Sequence, residues 1–425
     1  MENFIDDLQW RGFLHTFTPN IKKHLAGNLV TGYIGFDPSA ASLHVGSLLP
    51  IMGLVHLQRS GHTPVAIAGG GTGMVGDPSG KTQERKLLTI EELAANLEGI
   101  KRQLARFLDF KAGKNPAKLV NNAEWLSKLS LMDFLRDIGK HFSVNEMLAK
   151  DSVKSRIEQE QGMSFTEFTY SLLQSYDYLE LYDRYHCTLQ MGGSDQWGNI
   201  LSGVHLIRRL RGAEVHAIVF PLITTSAGVK FGKTEGGTVW LDPARTSPYR
   251  FYQFWLNADD RDVIQYLKFF TLLPQERIGA LEESLQKNPE KREAHAALGQ
   301  EVTRSVHGDS ALEQAVKASR IFFGGEMADV SETELLDIFS DVPSTELPKD
   351  QFGGEGMAFL DLMVQSKAAK SKGEARRLVE GGGIYLNNRK VTDVALKVRA
   401  DEAIHGKFLV LRRGGKNYFL VRLLA

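Results

Sequence analysis

Short apolar runs alternate with longer amphipathic segments through the first half of the chain. The runs that predict strands are 30–36, 65–68, 118–120, 188–191 and 215–220. They lack the polar alternation of half-exposed strands, which is typical of strands that are buried on both faces. Helical segments between such strands favour a parallel sheet covered by helices. The predicted fold class is therefore α/β, with a Rossmann-like parallel sheet.

The hydrophobic spacing becomes helical from about residue 246. Val263, Leu267 and Phe270 recur at this spacing, and the pattern predicts an all-helical domain over 246–325. Segment 326–355 contains many acidic residues, two prolines and several glycines, which favours a partly helical acidic linker.

Charge separates the end of the chain from the rest. Lys plus Arg and Asp plus Glu both total 51, yet residues 366–425 carry 14 basic and five acidic side chains, a net charge of +9. The remaining residues then carry −9. A basic module attached to an acidic body predicts a polyanionic partner.

The composition is that of a soluble globular protein, with 42% hydrophobic and 24% charged residues. No apolar stretch approaches the length of a membrane span, and the first residues are acidic and mixed, unlike a signal peptide. The single cysteine, Cys187, excludes an internal disulfide and a multi-cysteine zinc site. We expect a cytoplasmic protein without membrane partners.

A glycine-rich stretch follows the second predicted strand. Residues 71–76 fit G-x-G-x-x-G, but Asp77-Pro78 follows at once and favours a turn where a dinucleotide-binding helix should begin. The Gly80-Lys81-Thr82 stretch lacks the glycine that a P-loop requires at position 75. Both of these nucleotide motifs are disfavoured, and a backbone that approaches some ligand closely is expected instead.

Two short motifs could handle phosphate. His44 and Gly46 precede an apolar helix, where a ring and free backbone N–H groups can face an anion. Lys230 and Lys233, with Thr234, lie on a turn-rich loop after the last strand and could stabilise a polyphosphate leaving group. Each motif alone is more often a capping turn or a solvated basic loop.

A helix predicted over 164–182 carries a polar stripe. Tyr170, Gln174 and Asp177 share one face, while Phe165 and other apolar side chains form another. The stripe either faces solvent or lines a pocket for a small polar ligand near residues 192–199.

Taken together, the segments YIGFDPSAASLHVGS, GGGTGMVGDPSGK, FLRDIGKHFSVN, SFTEFTYSLLQSYDY, QMGGSDQWGN, KFGKTEGG and TSPYRFYQFW resemble bacterial tyrosyl-tRNA synthetases, in the family's order. The tail SKGEARRLVEGGGIYLNNRKV is similar to an S4-type RNA-binding domain. The resemblance covers essentially the whole chain. It implies a catalytic domain over 1–225, a catalytic loop and linker over 226–245, a helical anticodon-arm domain over 246–325, an acidic linker over 326–355 and a small α+β S4-like domain over 356–425.

The resemblance also implies a reaction and its site. L-tyrosine would be activated by ATP, with Mg²⁺ on the phosphates, and the tyrosyl group would then pass to the 3′ end of tRNA(Tyr). The residues implied for tyrosine are Tyr33, Asp77, Tyr170, Gln174 and Asp177; for ATP or the adenylate, Asp37, Gly46, Gly193, Asp195, Gln196 and Lys233; for catalysis, His44, Ser47, Lys230, Lys233 and Thr234. No metal site formed by protein ligands and no editing domain is expected. The family further implies a homodimer, with FLRDIGKHFSVN near the interface.

Ser47 departs from the family's H-x-G-H pattern, because a second histidine is expected there. We expect activity to persist, since a serine hydroxyl can still donate a hydrogen bond. Two alternatives remain open: a non-catalytic RNA-binding or splicing factor on a synthetase scaffold, and a nucleotidyltransferase of the H-x-G-H type. The basic tail disfavours the second of these.

Overall fold

The computed structural model describes residues 3–79, 88–158, 163–226, 228, 231–234, 237–327, 330–340, 342–415 and 417–424, without the side chains of residues 151, 152, 155, 158, 233 and 234. The α-helices are α1 Phe4–Arg11, α2 Ile21–Gly27, α3 Leu48–Arg59, α4 Ile90–Leu104, α5 Ala123–Leu126, α6 Leu131–Asp133, α7 Val144–Leu148, α8 Asp151–Glu158, α9 Phe165–Tyr185, α10 Trp197–Arg211, α11 Pro248–Leu256, α12 Val263–Phe270, α13 Gln275–Lys287, α14 Glu293–His307, α15 Asp309–Phe322, α16 Glu332–Ile338, α17 Phe359–Gln365 and α18 Lys372–Glu380. The strands are β1 Thr16–Phe17, β2 Thr31–Phe36, β3 Thr63–Ala68, β4 Lys118–Asn121, β5 Cys187–Gly193, β6 His216–Phe220, β7 Lys233–Thr234, β8 Gly237–Thr238, β9 Ser344–Pro348, β10 Met357–Ala358, β11 Ile384–Leu386, β12 Arg389–Lys390, β13 Lys397–Val398, β14 Phe408–Arg413 and β15 Asn417–Leu424.

The chain forms two compact units. The first contains Met1–Thr246 and Phe254–Val306, and the second contains Ser247–Gln253 and His307–Ala425. The helical region predicted over 246–325 is therefore divided between them. Its last helix, α15, packs through Ile321 into one apolar core with Val410 and other residues of the C-terminal sheet.

The first unit is built on a six-stranded sheet in the order β1-β6-β5-β2-β3-β4. β2 to β6 are parallel to one another, and only β1 runs antiparallel to its neighbour. The five strands predicted from the apolar runs correspond to β2 to β6, and their first and last residues differ from the predicted ones by at most two positions. The predicted parallel α/β sheet is confirmed.

The strand order changes direction at β2, which is flanked by β5 on one side and β3 on the other. β2 pairs with β3 as far as Phe36 and Ala68, but its pairing with β5 ends at Tyr33 and Gln190. Beyond Tyr33 the two strands separate. Open α/β sheets bind ligands in the crevice at such a switch point, outside the carboxyl ends of the strands.

The second unit contains a five-stranded sheet in the order β12-β11-β14-β15-β9, and α17 and α18 share its apolar core. The C-terminal part of the chain is thus α+β. The segment expected to be an acidic linker, 326–355, contains α16 and β9, and β9 pairs in parallel with β15. Leu347 of β9 is buried in the core of this sheet, which explains why an otherwise acidic segment is ordered as a strand. Among the described helices, none has the length and apolar composition to cross a membrane.

Candidate functional site

A cavity of about 300 Å³ lies at the carboxyl ends of β2, β3 and β5. Nine of the residues proposed from sequence line it: Tyr33, Asp37, Asp77, Tyr170, Gln174, Asp177, Gly193, Asp195 and Gln196. Its volume is within the range of pockets that enclose small ligands. The two strands that separate after Tyr33 and Gln190 thus enclose a pocket lined mainly by polar side chains.

The polar stripe of α9 forms one wall of this cavity. Ser164 caps the helix by accepting a hydrogen bond from the backbone N–H of Glu167, which fixes where the helical periodicity begins. Tyr170, Gln174 and Asp177 then face the cavity, not the solvent. Phe165, assigned by the same pattern to the apolar face, is instead 74% exposed.

Tyr33 lines the cavity, and its side chain is 2% exposed. Its ring packs edge-on against Tyr178, with the ring centroids 5.3 Å apart. Its hydroxyl has no hydrogen-bond partner among the described residues. Burial, and then the charge of Asp177, hold the pKa of this phenol well above its usual range. A buried hydroxyl that lacks a partner carries a free-energy cost unless a ligand supplies one.

Asp177 lines the same cavity, and two neutral donors hold its carboxylate. Trp125 Nε1 donates to Oδ1 at 2.7 Å and Asn122 Nδ2 donates to Oδ2 at 2.9 Å. Burial outweighs these two donors and raises the pKa of Asp177 to about 7. Sequence reasoning missed Trp125 and Asn122. Their position directly after β4, where the carboxyl end of a parallel strand meets the ligand crevice, was the available signal.

Three further carboxylates line the cavity, those of Asp37, Asp77 and Asp195. Tyr170 donates through its hydroxyl to Asp37 at 3.0 Å, and Gln196 donates through Nε2 to Asp77 at 2.8 Å. The Oε1 atom of Gln174 is buried, and no described residue donates a hydrogen bond to it. Carboxylate and amide oxygens converging on one space favour a small cation such as an ammonium group.

The turn that contains His44 precedes α3. His44 Nδ1 accepts a hydrogen bond of 3.0 Å from the backbone N–H of Gly46, so the proton of the neutral imidazole is on Nε2. A Cβ at Gly46 would lie 2.8 Å from the ring carbon Cε1, so a larger residue there would displace the His44 ring. Ser47 is half-buried and its side chain does not cap α3. His44, Gly46 and Ser47 do not line the cavity.

Part of the proposed lysine loop adjoins the His44 turn. A Cβ at Gly232 would lie 2.7 Å from Val45, and the backbone N–H of Val45 donates to the carbonyl of Val239 at 3.0 Å. Phe231 anchors the loop in an aromatic cluster, 5.3 Å from the ring of Phe270. Lys230 lies outside the described residues, as do the side chains of Lys233 and Thr234, whose backbone forms β7.

The glycine-rich stretch after β3 does not begin a long helix. Thr72–Met74 form a single 3₁₀ turn, so the context of a dinucleotide fingerprint is missing. Residues 80–87, which include the Gly80-Lys81-Thr82 motif, lie outside the described part of the chain. Within that part, no group of three or more His, Cys, Asp or Glu side chains is placed to bind a metal ion.

Comparison with known proteins gives one consistent family. The family model of class I tRNA synthetases (W and Y) matches residues 27–324, and a model of the SYY-like C-terminal domain of tyrosine–tRNA ligase matches residues 334–421. The chain is 55% identical to the tyrosine–tRNA ligase of Roseiflexus castenholzii over 100% of both chains, and 50% identical to that of Anaeromyxobacter dehalogenans over 100% of both. A solved structure, the C-terminally truncated mitochondrial tyrosyl-tRNA synthetase of Aspergillus nidulans, matches with a TM-score of 0.68 and 32% identity, covering 75% of this chain and 94% of that one. The chain therefore belongs to the tyrosine–tRNA ligase family within the class I tRNA synthetases.

Proposed function

We propose that the cavity binds L-tyrosine and that the chain activates it with ATP before transferring it to tRNA(Tyr). The observation that carries this assignment is the pairing of the unpartnered Tyr33 hydroxyl with the Asp177 carboxylate at one end of a cavity of about 300 Å³. A phenol placed there would donate to Asp177 and accept from Tyr33. Phenylalanine would leave the Tyr33 hydroxyl without a partner and Asp177 without the donor that the phenol supplies, and an unsatisfied buried polar group costs about 1–3 kcal/mol.

The opposite end would bind the ammonium group of the substrate. Tyr170, Gln174 and Asp77 lie around it, and the Oε1 atom of Gln174 is available as an acceptor. Asp195 and Gln196 would then lie near the substrate carboxylate and the ribose of ATP. In this arrangement each polar end of tyrosine has its own binding groups.

Activation would join the tyrosine carboxylate oxygen to the α-phosphorus of ATP and break the bond to pyrophosphate. The attacking carboxylate is already ionised, so positioning and charge stabilisation suffice without a general base. His44, with its proton on Nε2, and Lys230, Lys233 and Thr234 of the adjoining loop would stabilise the phosphates. Magnesium, bound by the phosphates, would neutralise part of their charge. The 2′ or 3′ hydroxyl of the tRNA terminus would then attack the tyrosyl carbonyl and release AMP.

The C-terminal region would contribute tRNA binding as an S4-like domain. Lys367, Lys370, Lys372, Arg376 and Arg377 are all exposed in or just before α18. Exposed basic side chains close together bind a phosphate backbone in a salt-dependent manner.

Apolar side chains are exposed within one stretch of the first unit, which we name the 131–165 apolar segment. Its members are Leu131, Met132, Leu135, Val144, Leu148, Ile157 and Phe165, each between 41% and 74% exposed. Large exposed apolar side chains at this density are typical of protein interfaces. We propose that the segment contributes to a homodimer interface.

The decisive experiment is tyrosine-dependent exchange of pyrophosphate into ATP, followed by tyrosylation of tRNA(Tyr). We expect exchange with tyrosine, none above background with tryptophan, and far less with phenylalanine. Asp177→Ala should abolish exchange. Exchange that is equal for tyrosine and phenylalanine, or unaffected in Asp177→Ala, would refute the assignment.

A further inference from the structure

A continuous path of hydrogen bonds joins Asp177 to Tyr170, two lining residues that we assigned to the two proposed ends of the cavity. Asn122 Nδ2 donates to Asp177 at 2.9 Å and to the Thr72 hydroxyl at 2.9 Å. Thr72 donates in turn to Asp37 at 3.1 Å, and Asp37 also accepts from Tyr170 at 3.0 Å. Asn122 is fully buried and Thr72 is 3% exposed. The path therefore runs within the protein from the phenol end to the ammonium end.

The direction of these bonds is fixed by the donors. The backbone N–H of Gly71 donates to Asn122 Oδ1 at 2.7 Å, so the amide nitrogen must face Asp177 and Thr72. Both of its N–H groups are then used, one toward each partner. The Thr72 oxygen accepts one of them, and its single proton goes to Asp37. Hydrogen bonds in such a chain polarise and strengthen one another, so the loss of one weakens its neighbours.

The glycines after β3 make room for this path. A Cβ at Gly69 would lie 2.3 Å from Asp37 Oδ1 and 2.6 Å from the Thr72 hydroxyl. A Cβ at Gly71 would lie 2.8 Å from Leu126 and 3.3 Å from Asn122 Oδ1. These two glycines thus leave room for the side chains of Asp37, Thr72 and Leu126.

We propose that Thr72 is a positioning residue that couples recognition of the phenol to recognition of the ammonium group of the substrate. The inference rests on the proposed binding of tyrosine between these two ends. A phenol that orders Asp177 orders the Asn122 amide, which fixes the Thr72 hydroxyl and, through it, the Asp37 carboxylate beside Tyr170. Binding of the phenol thus lowers the free-energy cost of ordering the groups that bind the ammonium. A ligand that carries both groups therefore binds more tightly than the sum of the two separate binding free energies would give.

The test is a set of double-mutant cycles in three backgrounds. Tyr33→Phe removes one hydroxyl at the phenol end, and Tyr170→Phe removes one at the ammonium end. The kcat/KM for tyrosine in pyrophosphate exchange is measured for both single variants and the double variant, with Thr72, Thr72→Val or Thr72→Ser. Active sites are counted by adenylate burst, so a partly unfolded variant does not distort the ratios.

The coupling factor is the ratio between the effect of the double substitution on kcat/KM and the product of the two single effects. In the protein that keeps Thr72 we expect this factor to be about threefold or more, as is usual for residues in one network. Thr72→Val, which keeps the shape but not the hydroxyl, should reduce that factor to less than about 1.5-fold and raise KM for tyrosine about tenfold. Thr72→Ser should restore both values. A general structural role would lower activity in Thr72→Val without changing the coupling factor.

Three results would overturn the inference while leaving tyrosine binding intact. The coupling could survive in Thr72→Val, it could be absent in the protein with Thr72, or Thr72→Ser could behave like Thr72→Val. Wild-type protein without tyrosine-dependent exchange would instead overturn the proposed function, and this inference with it.

Discussion

The indole of Trp125 donates a 2.7 Å hydrogen bond to Asp177, a carboxyl that is 4% exposed. Asn122 supplies the second donor. Both donors are neutral, so they stabilise the carboxylate less than a cation would, and burial still raises its pKa to about 7. The charge on Asp177 therefore changes within the pH range in which the protein can be assayed.

Use of tyrosine should fall as the pH is lowered through 7. In the proposed function an ionised Asp177 would accept a hydrogen bond from the substrate phenol, whereas a protonated carboxyl would lose much of this capacity. Because the pKa is raised, the ionised form is lost below about pH 7 and not below about pH 4. We expect kcat/KM for tyrosine to decrease about tenfold per pH unit below that point, since this constant reports the free enzyme.

Trp125→Phe should move this pH profile upward, because it removes a donor that lowers the pKa of Asp177. It should also lower kcat/KM for tyrosine at pH 8 by about tenfold or more, the usual cost of losing a hydrogen bond to a charged group. The matched control is Trp10→Phe, because Trp10 is a half-buried tryptophan outside the cavity. This variant should leave the pH profile of kcat/KM unchanged. A wild-type profile that stays flat from pH 8 to pH 6 would contradict the expectation.

Gly69→Ala should damage the site more than an ordinary glycine replacement. The added methyl group would meet Asp37 at 2.3 Å and Thr72 at 2.6 Å, so one of them must move. Overpacking of this kind usually costs about 1–3 kcal/mol. We expect a lower Tm and a KM for tyrosine raised at least tenfold. Gly279→Ala, whose Cβ meets nothing within 4 Å, is the control; equal behaviour of the two variants would argue against a specific need for Gly69.

Ser47 should make only a modest contribution to catalysis. Its hydroxyl can supply one neutral hydrogen bond, worth about 0.5–1.5 kcal/mol, so Ser47→Ala should lower kcat/KM for ATP by no more than about tenfold. Ser47→His should give an enzyme of similar activity. The hypothesis that activity persists without the second histidine is wrong if wild-type exchange is undetectable and Ser47→His makes it robust.

The sequence predicted the sheet well because strands buried on both faces are continuous apolar runs, as in β3 and β6. Helical periodicity also placed Tyr170, Gln174 and Asp177 on one face, which the structure directs into the cavity. The strand β9 was not predicted, because its partner β15 lies about 70 residues away and only Leu347 among its residues is buried. One buried position does not produce a recognisable strand pattern.

The network around Asn122 and Thr72 could not be predicted in the same way. Its members follow different strands, β4 and β3, and each has a local sequence typical of an ordinary turn. Their significance arises only when the parallel strands bring their carboxyl ends to one edge of the sheet.

Met132→Glu should weaken self-association if the 131–165 apolar segment forms a dimer interface. Met132 is 73% exposed, and burying a carboxylate against a partner subunit is costly. We expect sedimentation velocity to show a dimer for the wild-type protein. In the variant the dissociation constant of the dimer should rise at least tenfold, which corresponds to about 1.4 kcal/mol. Ile90→Glu is the control, because Ile90 is 71% exposed but lies outside the segment. A wild-type monomer, or equal dimers in all three proteins, would refute this interface.

A pair of adjoining histidines should make the first unit sensitive to acid. The rings of His24 and His216 lie 4.4 Å apart, and each forms a hydrogen bond to a threonine, Thr188 or Thr18. Burial lowers the pKa of both below the ordinary value of 6.5, although the charge of Glu214 opposes this.

The sign follows from proton linkage. Below about pH 6.5 the unfolded chain binds protons at these positions while the folded chain resists them, so the free energy of unfolding falls as the pH falls. Replacing His24 with Gln removes one of these groups and the repulsion between two charged rings. We therefore expect Tm to drop less between pH 7 and pH 5 in His24→Gln than in the wild-type protein, by about 2 °C. His205→Gln changes an exposed histidine and should keep the wild-type drop. If Tm falls by the same amount over this pH range in the wild-type protein and in both variants, the pair of histidines is not a source of acid sensitivity.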